Sequence, residues 1–164
     1  MTTPREHLID WLQDAYAMEV QAEKLMDNLR SRLNQYPSLS AKLDQHIQET
    51  KGQAEQVKQC LHQLGAETSS LKTGFAAFTG TAQALSGMFV TDEVVKGTVF
   101  SHAFEQFEVA NYTVLIAAAQ AAGEPAIAAT LEGLRATTTK GRLLAVEVAV
   151  ETLRLTNISH TCAL

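Results

Sequence analysis

The sequence predicts an all-α fold, a four-helix bundle with one long crossover between the second and third helices. Apolar residues recur at helical spacing over four stretches of the chain. The prolines, Pro4, Pro37 and Pro125, lie at the edges of these stretches, where proline is tolerated. Residues 66–91 separate the second stretch from the third and are longer than a simple turn between helices. Two helix pairs joined in this way match a bundle with one crossover.

Length, charge and cysteine content restrict the class of protein. The 164 residues suit a single domain, 1–164, and the net charge of −5 provides no basic surface for nucleic acid. No apolar run approaches the length of a membrane span, and the start "MTTPREHLIDWL" lacks the layout of a signal peptide. Cys60 and Cys162 form no disulfide framework or metal-binding pair. We therefore expect a cytoplasmic protein with reduced thiols and neither a nucleic-acid nor a membrane partner.

The first predicted helix runs from about Pro4 to about Asn34. Its core-facing residues share one face at helical spacing: Leu8, Leu12, Ala15, Ala22, Met26 and Leu33.

The second predicted helix runs from about Ser40 to Leu64. Ser38 or Ser40 is expected to cap its start, and Gly65 to stop it. Its core-facing residues are Leu43, Ile47, Val57, Leu61 and Leu64.

The crossover, residues 66–91, is rich in Ser, Thr, Gly and Ala and is expected to contain a short helix near Ala76–Met88. It also carries more large apolar groups than a solvated loop needs, which predicts a homodimer contact. The alternative is that the whole segment folds onto its own bundle. The large apolar groups are Phe75, Phe78, Leu85, Met88 and Phe89.

The third helix is expected to start after a Thr91 cap and to end before Gly123, and Pro125 then opens the fourth. The tail "AVEVAVETL" also alternates like a strand, but it has no partner strand, so a helix is predicted there. Core-facing residues of the fourth helix are Ile127, Leu131, Leu134, Ala145 and Val148.

Carboxylates interrupt the apolar stripes of these helices. Glu105 and Glu108 lie in the stripe of the third helix, and Glu19 lies in that of the first. In the second helix, His46 and Gln53 lie within the stripe, and the helix also carries Glu49 at its edge. The stripe of the third helix consists of Val94, Thr98, Ser101, Glu105, Glu108, Tyr112, Ile116 and Ala119.

Carboxylates in a core are costly unless they are paired or bind a metal. Three helices bring such groups to one level, as in bundles that hold two iron or manganese ions between carboxylates. Oxygen ligands with one imidazole suit iron or manganese. The alternative is that these glutamates lie at a rim or pair with Lys or Arg. On that view His46 is a hydrogen-bonded core residue, and Tyr112 and Phe107 are packing residues.

Four stretches of the sequence resemble the bacterial YciE/YciF-like, ferritin-like stress protein family, most closely its YciE branch. They are "WLQDAYAMEVQAEKLM", "QHIQETKGQAEQV", "FVTDEVVKG" and "FEQFEVANYTVLIAAAQAAG". The resemblance implies a ferritin-like bundle, often dimeric, with a di-metal centre and an association with stress responses. It implies metal ligands in three motifs: Glu19 in helix 1; His46, Glu49 and Gln53 in helix 2; and Glu105 and Glu108, followed by Tyr112, in helix 3.

The fourth helix departs from the family pattern, in which an acidic run supplies the last ligands. This chain reads "GLRATTTKGRLLAVEV" and places Thr138 where a glutamate is expected, with Gly141 one turn later. A threonine hydroxyl is a poor substitute for a bridging carboxylate. The sequence therefore predicts at most one tightly bound metal ion per chain. A site without metal and a water-bridged polar cluster are the alternatives.

Two classes of function follow. One is a ferritin-like metal-binding protein with weak oxidase- or peroxidase-type chemistry, and the other is a metal-free structural or interaction protein that keeps the bundle. The fourth helix favours the second, and the other three favour the first. A helical DNA-binding protein fits poorly with the negative charge.

Overall fold

The computed structural model describes residues 2–31, 37–68, 93–140 and 150, with the backbone alone for Leu39 and residues 93–100. Its helices are α1 (Pro4–Arg30), α2 (Pro37–Gln63), α3 (Glu93–Ala121) and α4 (125–140). The described residues contain no strand, so the predicted all-α four-helix bundle is confirmed. Most of the predicted crossover, including Ala76–Met88 and the apolar groups assigned to a dimer contact, lies outside these residues.

Helix α1 begins where the sequence predicts and ends earlier. The backbone N–H of Glu6 donates to the Thr3 hydroxyl at 3.2 Å, and the Glu6 carboxylate accepts from the Thr3 N–H at 2.7 Å. This reciprocal pair caps the helix. The helix ends at Arg30 rather than near Asn34, because Ser31 forms a turn and its hydroxyl donates to the Asn28 carbonyl at 2.7 Å.

Helix α2 begins at Pro37, so the prediction that Ser38 or Ser40 caps it was wrong. Both serines lie inside its first turn. Proline is well suited to the first helical position, because its φ is preset and its missing N–H would have no helical partner there. The predicted stop at Gly65 is confirmed by its left-handed backbone, with φ of 68°.

Helix α3 ends before Gly123 and α4 begins at Pro125, as predicted. Gly123 has φ of 74°, a conformation that glycine adopts without strain. The predicted Thr91 cap, the tail after residue 140 other than Val150, and the side chains of Val94 and Thr98 lie outside the described structure.

Helices α1 and α2 run antiparallel, because the start of α1 contacts the end of α2 and the end of α1 contacts the start of α2. Arg5 donates to the Leu64 carbonyl at 3.0 Å, Glu23 pairs with Lys51 at 3.4 Å, and Arg30 pairs with Asp44 at 2.9 Å.

Helices α3 and α4 complete the bundle. Asn111 of α3 donates to the Met18 sulfur at 3.8 Å, and Glu124 just after α3 pairs with Arg5 at 3.8 Å, so α1 and α3 are antiparallel. On the other side, Gln53 of α2 donates to the Thr138 hydroxyl of α4 at 2.9 Å.

The core follows the predicted stripes. Leu43 is half-buried. Phe107 is 42% exposed, because it precedes the inward Glu108 by one residue and therefore points about 100° away from it. None of the described helices is both long and apolar enough to cross a membrane. The predicted core residues that are buried are Leu8, Leu12, Ala15, Ala22, Met26, Ile47, Val57, Leu61, Leu64, Tyr112, Ile116, Ala119, Ile127, Leu131 and Leu134.

Candidate functional site

Polar side chains from all four helices meet inside the bundle. We call this set the polar layer: Glu19 of α1; His46, Glu49 and Gln53 of α2; Glu105, Glu108 and Tyr112 of α3; and Thr138 of α4. Each predicted metal-ligand residue belongs to it.

The three carboxylates from α1 and α3 are almost fully buried. Glu19 is 0% exposed, Glu105 is 2% exposed and Glu108 is 4% exposed. They point inward because each lies on the core-facing stripe of its helix. Ala15 and Ala22 lie one turn on either side of Glu19, and Phe104 and Tyr112 lie one turn on either side of Glu108. The sequence-based placement of these three side chains in the interior is therefore correct.

A hydrogen bond joins α1 and α3 at this level. The Tyr112 hydroxyl donates to Oε1 of Glu19 at 2.5 Å, and both side chains are fully buried. Burial raises the pKa of Tyr112 well above its usual value, and the nearby Glu19 charge raises it further. Tyr112 therefore remains protonated and acts as a donor.

His46 connects α2 to α3. Its Nε2 lies 2.9 Å from Oε1 of Glu105, and its Nδ1 lies 3.5 Å from Oε2 of Glu49. The approach to Glu105 is an ion pair rather than an aligned hydrogen bond, because neither Glu105 oxygen receives an aligned N–H or O–H from the described residues. Burial by itself would lower the pKa of His46, but its contacts with the two carboxylates outweigh burial and raise it.

The buried carboxylates perturb one another. Burial is the main cause that raises the pKa of Glu19 to about 7, although the Tyr112 hydrogen bond and the His46 charge oppose it. Burial also raises the pKa of Glu108 well above its usual value, and the charges of Glu19 and Glu105 add to that effect. Near neutral pH the polar layer therefore retains protons that solvated glutamates would have lost.

Glu49 is the least buried carboxylate of the polar layer, with 34% of its side chain exposed. It reaches the layer through His46 and also accepts a hydrogen bond from Gln45 at 2.9 Å. The sequence placed it on the edge of the apolar stripe, and the structure agrees.

In its described span, residues 125–140, α4 contributes a neutral side chain to the polar layer. Thr138 is 2% exposed, so it points inward as predicted. Its hydroxyl accepts from Nε2 of Gln53 at 2.9 Å and donates to the Leu134 carbonyl at 3.2 Å. Gln53, a predicted ligand, is thus bound to α4.

The polar layer has unused hydrogen-bonding capacity. Among the described residues, Oε2 of Glu19 and both carboxylate oxygens of Glu105 are buried without a hydrogen-bond partner, although Oε1 of Glu105 is ion-paired with His46. Such oxygens are rare in folded proteins and indicate a bound proton, water or ion. In the described ranges, however, no group of three or more His, Cys, Asp or Glu side chains is arranged so that it could hold a metal ion.

Two features of the site were not predicted from the sequence. The Gln53–Thr138 bond depends on the relative heights of α2 and α4, which spacing within one helix does not determine. The Nδ1 of His102 is buried with no hydrogen-bond partner in the described ranges, and its position one turn before Glu105 was the available signal.

A comparison with known protein families shows which family the chain belongs to. Residues 3–151 match the family described as a domain of unknown function, DUF892. The chain belongs to the DUF892 family. A crystal structure of a protein from Xanthomonas campestris is 34% identical to it, with a TM-score of 0.77, covering 97% of this chain and 99% of that one. The predicted family relationship is therefore confirmed at the level of DUF892, and the closer likeness to the YciE branch stays a prediction.

Two further structures share the fold of this chain at lower identity. The Escherichia coli stress protein YciF is 20% identical, with a TM-score of 0.81, covering 94% of this chain and 99% of that one. YcfI from Rhodopseudomonas palustris, a suggested structural protein, is 24% identical, with a TM-score of 0.75 and coverage of 88% and 94%. At these identities the likeness establishes the fold.

Proposed function

We propose that this protein is a stress-associated, ferritin-like bundle of the YciE type that binds a divalent metal ion, iron or manganese, in the polar layer. The observation that carries the proposal is the burial of three carboxylates together, with two of their oxygens lacking partners among the described residues. A cation would offset charges that otherwise repel one another in a medium of low dielectric constant.

The donor set suits these metals. Glu19, Glu105 and Glu108 offer carboxylate oxygens, and His46 offers one imidazole nitrogen, a combination typical of iron and manganese sites. Binding would require the side chains to rotate toward a common point, because no three of them are so arranged in the described structure. When bound, such an ion would supply weak oxidase- or peroxidase-type chemistry.

The protein residues would have defined parts. Glu19 and Glu108 would release protons as they ligate, which couples affinity to pH. Tyr112 would hold Oε1 of Glu19 and leave Oε2 free. Glu49 would orient the His46 ring from the side opposite Glu105.

Metal content and Mn²⁺ titration test the proposal. Protein purified without chelator should contain iron or manganese, and Glu108→Gln should weaken Mn²⁺ binding by at least about tenfold. Glu132→Gln is the matched control, because Glu132 is an exposed glutamate of α4 and its charge does not face the polar layer. Equal binding by the parent and Glu108→Gln would place any metal elsewhere.

A metal-free structural or interaction protein is the second candidate. The links Tyr112–Glu19, His46–Glu105 and Gln53–Thr138 already connect all four helices without a cation. Under this function the parent binds no Mn²⁺ at any pH at which it is folded.

A further inference from the structure

The number of ions that the polar layer can hold depends on α4. In bundles that hold two metal ions, every one of the four helices contributes a carboxylate, and two of them add a histidine. Among the residues that the structure describes, the buried or half-buried carboxylates of the polar layer come from α1, α2 and α3. In the described helical span of α4, residues 125–140, the acidic residue is Glu132, and it is exposed.

Thr138 occupies the place of the missing carboxylate. Arg135 of α4 donates to the Thr113 hydroxyl of α3 at 3.5 Å, which sets the relative heights of these two helices. Thr138 lies three residues after Arg135, about 4.5 Å further along α4 and toward the start of α3. It is therefore level with the turn between Glu108 and Tyr112, and Tyr112 in turn contacts Glu19.

The Thr138 hydroxyl already both accepts and donates a hydrogen bond. Its oxygen accepts from Gln53, and its proton goes to the Leu134 carbonyl. Gln53 is 5% exposed, so water has little access to this bond. An ion placed beside α4 would meet a neutral, satisfied pair, and breaking that pair would leave a buried donor unpaired.

We propose that the Gln53–Thr138 hydrogen bond closes the α4 side of the polar layer, so that the layer takes one divalent ion per chain rather than two. This inference rests on the proposed metal-binding function and specifies its capacity. Gln53 then acts as the partner of Thr138, and the ligands come from Glu19, His46, Glu105 and Glu108. The centre would differ in this respect from a two-metal bundle.

Equilibrium dialysis of the full chain against Mn²⁺, with metal counted by mass spectrometry, tests the inference. The parent should bind one ion. Thr138→Ser keeps the hydroxyl and should also bind one, whereas Thr138→Glu supplies the fourth-helix carboxylate and should bind close to two. Paramagnetic resonance adds a readout, since two neighbouring Mn²⁺ ions give a coupled spectrum and a single ion gives isolated lines.

The outcomes separate the two proposals. Two ions in the parent would overturn the one-ion inference and leave metal binding intact, whereas no ion in the parent would refute metal binding itself and this inference with it. A folded Thr138→Glu that still binds one ion would show that the α4 side does not limit capacity. If circular dichroism shows that Thr138→Glu is unfolded, Gln53→Glu replaces it, because it brings a carboxylate to the same place from α2. This variant should also bind close to two Mn²⁺ ions, and one ion would count against the inference.

Discussion

The Tyr112 hydroxyl donates to Oε1 of Glu19 at 2.5 Å, in a part of the bundle where both side chains are inaccessible to water. The bond links α1 to α3 and stabilises the ionised form of a carboxylate that burial would otherwise keep protonated. One hydroxyl therefore affects both the stability of the fold and the charge of the polar layer.

Tyr112→Phe should lower the free energy of unfolding by about 1–3 kcal/mol, because Glu19 loses a buried hydrogen-bond donor while the ring is kept. It should also raise the pKa of Glu19 above its present value of about 7. Urea denaturation measures the first effect, and NMR titration of the labelled Glu19 carboxyl measures the second. An unchanged Glu19 titration would mean that the hydroxyl does not control this carboxylate.

Metal-free protein should lose stability as the pH rises through neutrality. The Glu19 pKa is about 7 in the folded protein against 4.5 for an ordinary glutamate, so its contribution is complete below 4.5 and is lost as pH passes 7. The pKa of His46 is also raised, from the ordinary 6.5. Its contribution to stability is therefore likewise lost as the pH rises above 6.5 and through the pKa of the folded protein. Glu19 alone would account for a loss of about 3 kcal/mol.

Urea denaturation in chelator between pH 5 and pH 8.5 checks this dependence. Glu19→Gln is the control, since the amide keeps the shape of the side chain and cannot titrate. Its curve should be flatter than that of the parent, and identical slopes would exclude Glu19 as the source.

Glu108→Gln should stabilise the metal-free protein at pH 8, by about 1 kcal/mol or more. The amide neither ionises nor needs a proton, so it avoids the cost of burying or protonating the Glu108 carboxyl beside Glu19 and Glu105. Thermal unfolding in chelator measures the gain, and exposed Glu132→Gln should change stability by less than about 0.5 kcal/mol. A Glu108→Gln protein less stable than the parent would show that the Glu108 carboxylate is favourably paired.

Alanine substitutions at Gly133, inside α4, and at Gly123, just before α4, should change the stability of the fold in opposite directions. A Cβ at Gly133, inside the helix, meets nothing within 4 Å, so Gly133→Ala should stabilise the fold by about 0.5–1 kcal/mol. Gly123 also has open space but adopts φ of 74°, so Gly123→Ala should destabilise it by about 1–2 kcal/mol. Melting temperatures of the two variants should shift in opposite directions, and a stabilising Gly123→Ala would contradict the observed backbone.

The homodimer expected from the apolar segment 66–91 is tested by sedimentation equilibrium at high protein concentration. A mass of twice 17.8 kDa is expected. A single-chain mass throughout would mean that the segment covers its own bundle.

Periodicity within single helices predicted most of the fold. It placed Glu19, Glu105 and Glu108 inside the bundle, because an inward position is determined by the neighbouring apolar residues of the same helix. The preference of glycine for the position just past a helix identified Gly65 and Gly123 as helix stops, and both adopt a positive φ.

Contacts between helices were harder to predict. The Gln53–Thr138 bond depends on how far α2 is shifted along α4, and no pattern within one helix contains that distance. The start of α2 was misplaced for a local reason: Pro37 is both a turn residue and a good first helical residue, and the flanking serines suggested a later cap.

The assembly of the polar layer from separate helices has a consequence for the order of folding. α1 and α2 are neighbours in sequence and form an antiparallel pair, so they can associate early, while Glu19 is still hydrated on the open face of the hairpin. Docking of α3 brings Glu105 and Glu108 against Glu19 and removes the water from all three. Proton uptake should therefore accompany this later step, and refolding should slow as the solution becomes more alkaline.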